Sequence, residues 1–140
     1  MSFYLDASAI VPALVDEGGS VPIRRFLARA AEQLVVSDFT AAEVASAISR
    51  LVRMALLEGE DASARLRELD SWRAAATEGV DFQPSDFRLA NIFVRSFDLR
   101  LRAPDAVHAA VCRRCDLQLV TLDRRLAAAA EALDVRVAVP

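Results

Sequence analysis

The chain has 140 residues, of which 54% are hydrophobic, and a formal net charge of −3. It is long enough for one domain with a substantial core and too apolar for a disordered chain. Charged residues interrupt every apolar run before it reaches the length of a membrane span, and the N-terminus lacks the layout of a signal peptide. The two cysteines, Cys112 and Cys115, lie too close together to staple a fold, so we expect a reducing, cytoplasmic setting.

All the basic residues are arginines, and the chain contains no lysine. This excludes mechanisms that depend on a catalytic lysine, including the P-loop and Schiff-base chemistry. The slightly acidic net charge does not by itself indicate a nucleic-acid-binding surface.

Short apolar segments alternate with longer segments of helical period. The predicted strands are residues 3–5, 33–38, 80–82, 117–122 and 135–139. We expect a helix over residues 7–15, a second capped by Ser20, a third from Phe39 to a break at Gly59, and a fourth that stops at Gly79. Ser85 is predicted to cap a fifth helix and Pro104 to begin a sixth.

This alternation predicts a single α/β domain over residues 1–140, with a central parallel sheet of about five strands and helices on both faces. In such a sheet, ligands bind beyond the carboxyl ends of the strands. Asp6 stands at that end of the first strand, directly after the apolar residues Phe3 to Leu5. A lone buried charge is costly, so this carboxylate needs a partner, a solvated cleft or a cation.

Three other acids share the strand-to-helix setting of Asp6: Glu43, Asp105 and Asp123. Each of the four has a structural alternative. Thr40 and Glu43 match the S/T-x-x-E capping box, Asp105 would oppose a helix dipole, and Asp6 and Asp123 stand at N-cap positions. Four carboxylates gathered at one sheet edge would repel each other unless a cation compensated their charge. Oxygen ligands without histidine or thiolate favour Mg²⁺ or Mn²⁺, whose usual work is phosphate chemistry.

The segments "FYLDASAIV", "TAAEVASAI", "RAPDAVHAA" and "LVTLDRRL" together resemble the four acidic motifs of PIN-domain ribonucleases, and most of all the VapC toxins of bacterial toxin–antitoxin pairs. The resemblance spans the whole chain and implies a PIN-like fold in three layers. It places the metal-binding acids at Asp6, Glu43, Asp105 and Asp123, with supporting hydroxyls on Ser8 and Thr121. It also implies an Mg²⁺- or Mn²⁺-dependent endoribonuclease, a homodimer, a VapB-type antitoxin as partner, and tRNA or ribosomal RNA as substrate.

Four arginines flank the last two acids and are candidates for holding RNA phosphates: Arg100, Arg102, Arg124 and Arg125. His108, the only histidine, follows Asp105 by one helical turn, where a structural role is favoured over general-base catalysis. The "CRRC" segment falls late in a helix, which favours packing over redox chemistry. The phenylalanines Phe87, Phe93 and Phe97 are predicted to lie mostly in the core, as is Trp72.

Two alternatives to an endoribonuclease remain open at this stage. The first is a metal-dependent nuclease or phosphoesterase that acts on DNA or a flap structure. The second is a PIN-like binding module without catalytic activity, against which the complete set of acids counts.

Overall fold

A computed structural model describes all residues, 1–140, and confirms the predicted α/β architecture. Five parallel strands form one sheet in the order β3-β2-β1-β4-β5. The strands are β1 (Phe3–Leu5), β2 (Leu34–Val35), β3 (Thr77–Glu78), β4 (Gln118–Val120) and β5 (Val137–Ala138). The helices are α1 (Ala7–Leu14), α2 (Ser20–Arg29), α3 (Asp38–Arg53), α4 (Gly59–Ala76), α5 (Pro84–Val94), α6 (Ala103–Cys115) and α7 (Arg124–Ala132). A 3-10 turn at Phe97–Leu99 precedes α6.

The sheet separates two hydrophobic cores because successive residues of a strand point to opposite faces. Tyr4 and Leu119 belong to the core under α5, α6 and α7. Phe3 and Leu5 belong to the other core, under α1 to α4. Strand β1 lies at the centre, with β2 on one side and β4 on the other. The carboxyl ends of these three strands therefore lie next to each other, and the residues that follow them share one edge of the sheet.

The third strand and several helix boundaries differ from the prediction, and α4 ends at Ala76, before the predicted stop at Gly79. Strand β3 is Thr77–Glu78, not residues 80–82; α4 leads almost directly into it, and Val80 and Phe82 instead pack against the core. Gly59 does not end α3, which stops at Arg53; it begins α4.

Two predicted helix caps are replaced by their neighbours. Helix α2 is preceded by Gly19, and the Ser20 hydroxyl accepts a hydrogen bond from Glu17 N and donates one to the carbonyl oxygen of Val15. Helix α5 begins at Pro84 after Gln83, whose N–H donates to the Asp86 carboxylate at 2.8 Å, so Ser85 is not the cap.

The prediction of a mostly buried set of aromatic residues holds for Phe93 but is wrong for Phe87 and Phe97. Phe97 is 84% exposed because α5 ends at Val94 and a 3-10 turn follows, so Phe97 is not on the buried face of a continuous helix. No helix is both long and apolar enough to cross a membrane.

A buried ion pair fixes α6 against the start of α5. The Asp86 carboxylate is almost fully buried and accepts hydrogen bonds from Arg114 Nε at 2.7 Å and Arg114 Nη2 at 2.9 Å. Burial acts to raise the pKa of Asp86, but the hydrogen bonds from Arg114 and the Gln83 backbone, together with the Arg114 charge, hold it below its usual range.

We expect Asp86→Asn to lower the free energy of unfolding at pH 7 by about 2 kcal/mol, a typical value for charge-assisted hydrogen bonds. Because the pKa of Asp86 is depressed in the folded state, its contribution is complete at neutral pH and is lost as the pH falls below about 4. Denaturant unfolding of the wild type and the variant at pH 7 and below about pH 4 measures the difference in the free energy of unfolding. Asp116→Asn, at the exposed pair with Arg136, is the control and should change little. A destabilisation of Asp86→Asn that persists unchanged in acid would contradict this account.

Candidate active site

Asp6 is placed by the central strand and held by the helix that follows it. Its backbone N–H donates to the Val120 carbonyl at 3.2 Å, so Asp6 continues the pairing of β1 with β4. It is also the N-cap of α1, where its Oδ1 accepts a hydrogen bond from Ala9 N at 3.1 Å. The capping alternative for Asp6 is therefore correct as local geometry, but an aspartate is almost never fully buried unless it is paired. The Asp6 residue here is only 5% exposed.

Two hydroxyl groups share the Asp6 carboxylate. Ser8 Oγ donates to Oδ1 at 2.7 Å, and Thr121 Oγ1 donates to Oδ2 at 2.7 Å. The same hydroxyls accept backbone N–H groups of the loop after β4, Leu122 N on Ser8 and Asp123 N on Thr121. Both residues predicted to support the site thus connect Asp6 to the loop that carries Asp123.

Burial raises the pKa of Asp6, although the hydrogen bonds from Thr121 and Ser8 act in the opposite direction. The ionised carboxylate is therefore under-compensated by the protein alone. A positive charge placed against it would offset this cost.

Asp123 caps α7. Its Oδ1 accepts hydrogen bonds from Arg125 N at 2.9 Å and Leu126 N at 3.2 Å, so the capping alternative is correct here too. Asp105 lies in the first turn of α6, where its side chain is 15% exposed and Arg102 Nε lies 3.6 Å from Oδ2. This position agrees with the alternative in which the Asp105 charge stabilises α6 by interacting with the helix dipole.

The capping-box alternative for Glu43 is wrong. The N-cap of α3 is Ser37, whose Oγ accepts the Thr40 N–H at 3.0 Å, so Thr40 is already inside the helix. Glu43 follows one turn later and contacts His108 Nε2 through Oε1, with 28% of its side chain exposed. The Glu43 carboxylate therefore does not cap the helix.

His108 does not bond Asp105. The ring is 2% exposed and lies between Glu43 on Nε2 and the Tyr4 hydroxyl on Nδ1, the latter at 2.6 Å. Ser37 and Thr40 contact the same Tyr4 oxygen at 2.9 Å and 3.3 Å. Sequence reasoning missed Tyr4, Ser37 and Thr40. The available signal was a histidine on an apolar helix, one turn after a candidate acid, and a tyrosine inside a buried strand.

The flanking arginines are exposed, and so are free to meet a ligand, except that Arg102 is paired with Asp105. Arg124 lines an open surface cavity of about 610 Å³ with Ser8 and Asp123, beside the loop at Gly18 and Gly19. A Cβ at Gly19 would lie 2.6 Å from Leu122 Cδ1, so a side chain there would require the Leu122 side chain to shift.

The cysteines do not form a reactive pair at the surface. Cys112 is buried in α6, and burial raises the pKa of its thiol. Both cysteines are free thiols. This agrees with the packing role expected for Cys112.

The residues fit a hard divalent cation in donor type but do not form a closed cage. No three acidic, histidine or cysteine side chains stand close enough together to hold a metal ion. However, Asp6 is a buried carboxylate that needs positive charge, and Glu43, Asp105 and Asp123 each keep at least one oxygen without a protein hydrogen bond. Mg²⁺ is usually held by one or two carboxylates and several waters, so a complete cage of side chains is not required.

The fold and the candidate site together define the class: an α/β protein with a parallel sheet and acids at the starts of helices along its carboxyl edge. The family model of the PIN domain matches residues 3–132. The chain therefore belongs to the PIN-domain family.

Solved structures confirm the fold. VapC20 of Mycobacterium tuberculosis, described as a Sarcin-Ricin loop cleaving toxin, is 15% identical, with a TM-score of 0.75 over 91% of this chain and 94% of that one. VapBC2 of Rickettsia felis, bound to a promoter DNA fragment, is 14% identical, with a TM-score of 0.71 over 99% and 98%. FitAcB of Neisseria gonorrhoeae is 20% identical, with a TM-score of 0.70 over 96% and 95%. No curated protein matches the sequence.

We expect Asp6→Asn to leave the metal-free protein as stable as the wild type at pH 7, or more stable by up to about 1 kcal/mol. A raised carboxyl pKa means that folding loses stability as the pH rises through it, and asparagine does not ionise. Asparagine also retains the cap on α1. Thermal unfolding in EDTA at acidic and neutral pH measures the effect.

Asp123→Asn is the matched control, because it changes another N-cap whose carboxylate is less buried and should bring no gain at neutral pH. A clear loss of stability in Asp6→Asn would show that the ionised carboxylate supports the metal-free fold.

Proposed function

We propose that this protein is a metal-dependent endoribonuclease of the VapC type, the toxin of a toxin–antitoxin pair. The observation that carries the proposal is the buried Asp6 carboxylate at the end of the central strand, with a raised pKa and three further acids on neighbouring helices. A purely structural cap would gain nothing from burial of this kind.

Asp6, Glu43, Asp105 and Asp123 would hold Mg²⁺ or Mn²⁺. When bound, such an ion supplies activation of water for attack on phosphorus and compensation of the charge that develops on the phosphodiester. Ser8 and Thr121 orient the Asp6 carboxylate through their hydroxyl groups. Helices α1, α6 and α7 all begin at this edge, and their N-termini favour a substrate phosphate.

The exposed arginines support a polyanionic substrate. Arg124 lines the cavity beside Asp123, and Arg125 follows it on the same exposed turn of α7. Arg100 and Arg102 lie in the segment before Asp105, where Arg102 reaches that acid. These four arginines would bind phosphates on both sides of the acidic cleft.

RNA is favoured over DNA by the motif resemblance and by the fold shared with VapC20, described as a Sarcin-Ricin loop cleaving toxin. We therefore propose a structured RNA, tRNA or ribosomal RNA, as the substrate. A DNA or flap nuclease and a non-catalytic binding module are the alternatives that the first experiment below separates.

A nuclease that cuts essential RNA needs an inhibitor in its own cell, and we propose a VapB-type antitoxin. VapBC2 and FitAcB, which share this fold, support that partner. A cavity of about 290 Å³ between α1, α2 and α4 offers an apolar site for the tail of an antitoxin; its lining includes Ile10, Leu14, Leu27 and Trp72. Cytoplasmic location and the homodimer implied by the resemblance remain predictions.

Cleavage of structured RNA should occur with Mg²⁺ or Mn²⁺ and stop with EDTA. Asp6→Asn and Glu43→Gln should each lower the rate by at least about 100-fold, because each removes a charged ligand of the ion. Glutamine keeps the length of Glu43, and its position is not a cap, so the fold should survive. Gel assays with RNA and single-stranded, duplex and flap DNA measure the substrate class, and circular dichroism checks folding.

Asp38→Asn serves as the control, since Asp38 is an exposed acid in the first turn of the same helix as Glu43. Wild-type rates in the Glu43→Gln variant would remove Glu43 from the site. Cleavage that continues in EDTA would contradict metal dependence.

Expression of the wild type alone should arrest growth, whereas Asp6→Asn should accumulate without harm. Co-expression of the adjacent reading frame should restore growth and give a complex that co-purifies. We expect the partner to place apolar side chains in the α1–α2–α4 cavity and a charged side chain near the acids or their flanking arginines. If the wild type accumulates harmlessly and pull-downs from the native host recover no small protein, the toxin assignment fails, while the nuclease assignment can still stand.

A further inference from the structure

A buried chain of polar groups runs from the loop after β2 to the Glu43 carboxylate. It passes from Ser37 to the Tyr4 hydroxyl at 2.9 Å, from Tyr4 to His108 Nδ1 at 2.6 Å, and from His108 Nε2 to Glu43 Oε1. Tyr4, Ser37 and His108 are at most 2% exposed, while the Glu43 side chain is 28% exposed. These groups come from three elements and one loop, so the chain of contacts exists only in the folded protein.

The number of protons available on each group determines which group donates in each hydrogen bond of the chain. An ionised carboxylate only accepts, so Nε2 of His108 donates to Glu43. Thr40 Oγ1 donates to the Leu5 carbonyl at 3.2 Å, which uses the only hydroxyl proton of Thr40. The Tyr4 hydroxyl can then donate its own proton to Nδ1, its shortest contact.

Packing holds the imidazole ring in this orientation. The Tyr4 and Phe39 rings lie 5.5 Å and 5.2 Å from it, between centroids. Burial also raises the pKa of the Tyr4 phenol well above its usual value, so Tyr4 keeps its proton. Because both nitrogens and the ring faces are in contact, the His108 ring has one orientation, and its Nε2–H points at Glu43 in one direction.

We propose that Tyr4 and His108 are positioning residues for Glu43, and that the Tyr4 hydroxyl, through the His108 ring, directs the free oxygen of that carboxylate into the cleft. The proposal rests on the proposed function, in which Glu43 is a ligand of the divalent ion. Neither residue touches substrate, because both are buried behind Glu43. Partners of this kind orient a ligand, and their loss commonly lowers metal affinity or activity by about 10–100-fold.

Tyr4→Phe tests the proposal because it removes one oxygen and keeps the buried ring. We expect the affinity of the folded protein for Mn²⁺, measured by electron paramagnetic resonance, to fall about 10-fold. The kcat for RNA cleavage should fall with it, while KM stays the same because the phosphate-binding arginines are unchanged. Wild-type Mn²⁺ affinity in Tyr4→Phe would overturn the proposal.

Ser20→Ala is the matched control, since it also removes a buried hydroxyl with two hydrogen bonds but does not touch the Tyr4–His108–Glu43 chain. It should lose stability without losing Mn²⁺ affinity. An equal loss of affinity in Ser20→Ala and Tyr4→Phe would show a general effect of destabilisation and overturn the proposal. His108→Gln, which keeps an N–H donor for Glu43, should retain more affinity than His108→Leu.

The chain has a single histidine, so the two imidazole nitrogens give one pair of ¹⁵N signals. In metal-free protein, we expect the Nε2 atom that contacts Glu43 to carry a proton. Tyr4→Phe should shift the Nδ1 signal, and Glu43→Gln should shift the Nε2 proton. Signals that stay unchanged in both variants would overturn the positioning chain.

The measurements separate the two proposals. A wild type that neither binds Mn²⁺ nor cleaves RNA refutes the proposed function and, with it, the role of Tyr4 and His108 toward the ion. A wild type that does both, with unchanged affinity in Tyr4→Phe, refutes the positioning role alone.

Discussion

The burial of the Asp6 carboxylate at the end of the central strand is the constraint on which the site depends. Strand β1 is held on both sides by its pairing with β2 and β4, so the backbone cannot shift to bring the Asp6 carboxylate into solvent. The carboxylate is therefore supplied with donors from α1 and from the loop after β4, through Ser8, Ala9 and Thr121. These bonds reduce the cost of the buried charge but do not cancel it, so the protein presents an anion that favours a cation.

The position of the acids was predictable because it follows from topology. Alternating strands and helices fix a parallel sheet, and a parallel sheet brings Asp6 and Asp123 to one edge whatever the details of packing. The contacts of His108 were not predictable in the same way. Its bond to Tyr4 spans 104 residues of sequence, and its bond to Glu43 spans 65. Neither leaves a periodic or local pattern, and the nearest acid in sequence, Asp105, is not the acid that it contacts.

The predicted helix and strand boundaries were wrong where two sequence signals competed. Ser37 and Thr40 are both good caps, and Ser37 caps α3 because the strand ends there; Thr40 then turns its hydroxyl to the Leu5 carbonyl. The third strand was misplaced because apolar content was taken as a strand signal. Val80 and Phe82 are apolar because they cover a core, whereas the short edge strand needs only two backbone pairings with β2.

The amide of Asp6 is part of the sheet, since it donates to Val120 across from β1. Breaking that bond means separating the two central strands, an event that belongs to the global unfolding of the domain. Asp105 instead lies in the first turn of α6 and Asp123 caps α7, and the Asp123 amide donates to the Thr121 hydroxyl and not to a strand. The backbone position of Asp6 is thus fixed for as long as the domain is folded, whereas Asp105 and Asp123 lie on helix starts outside the sheet.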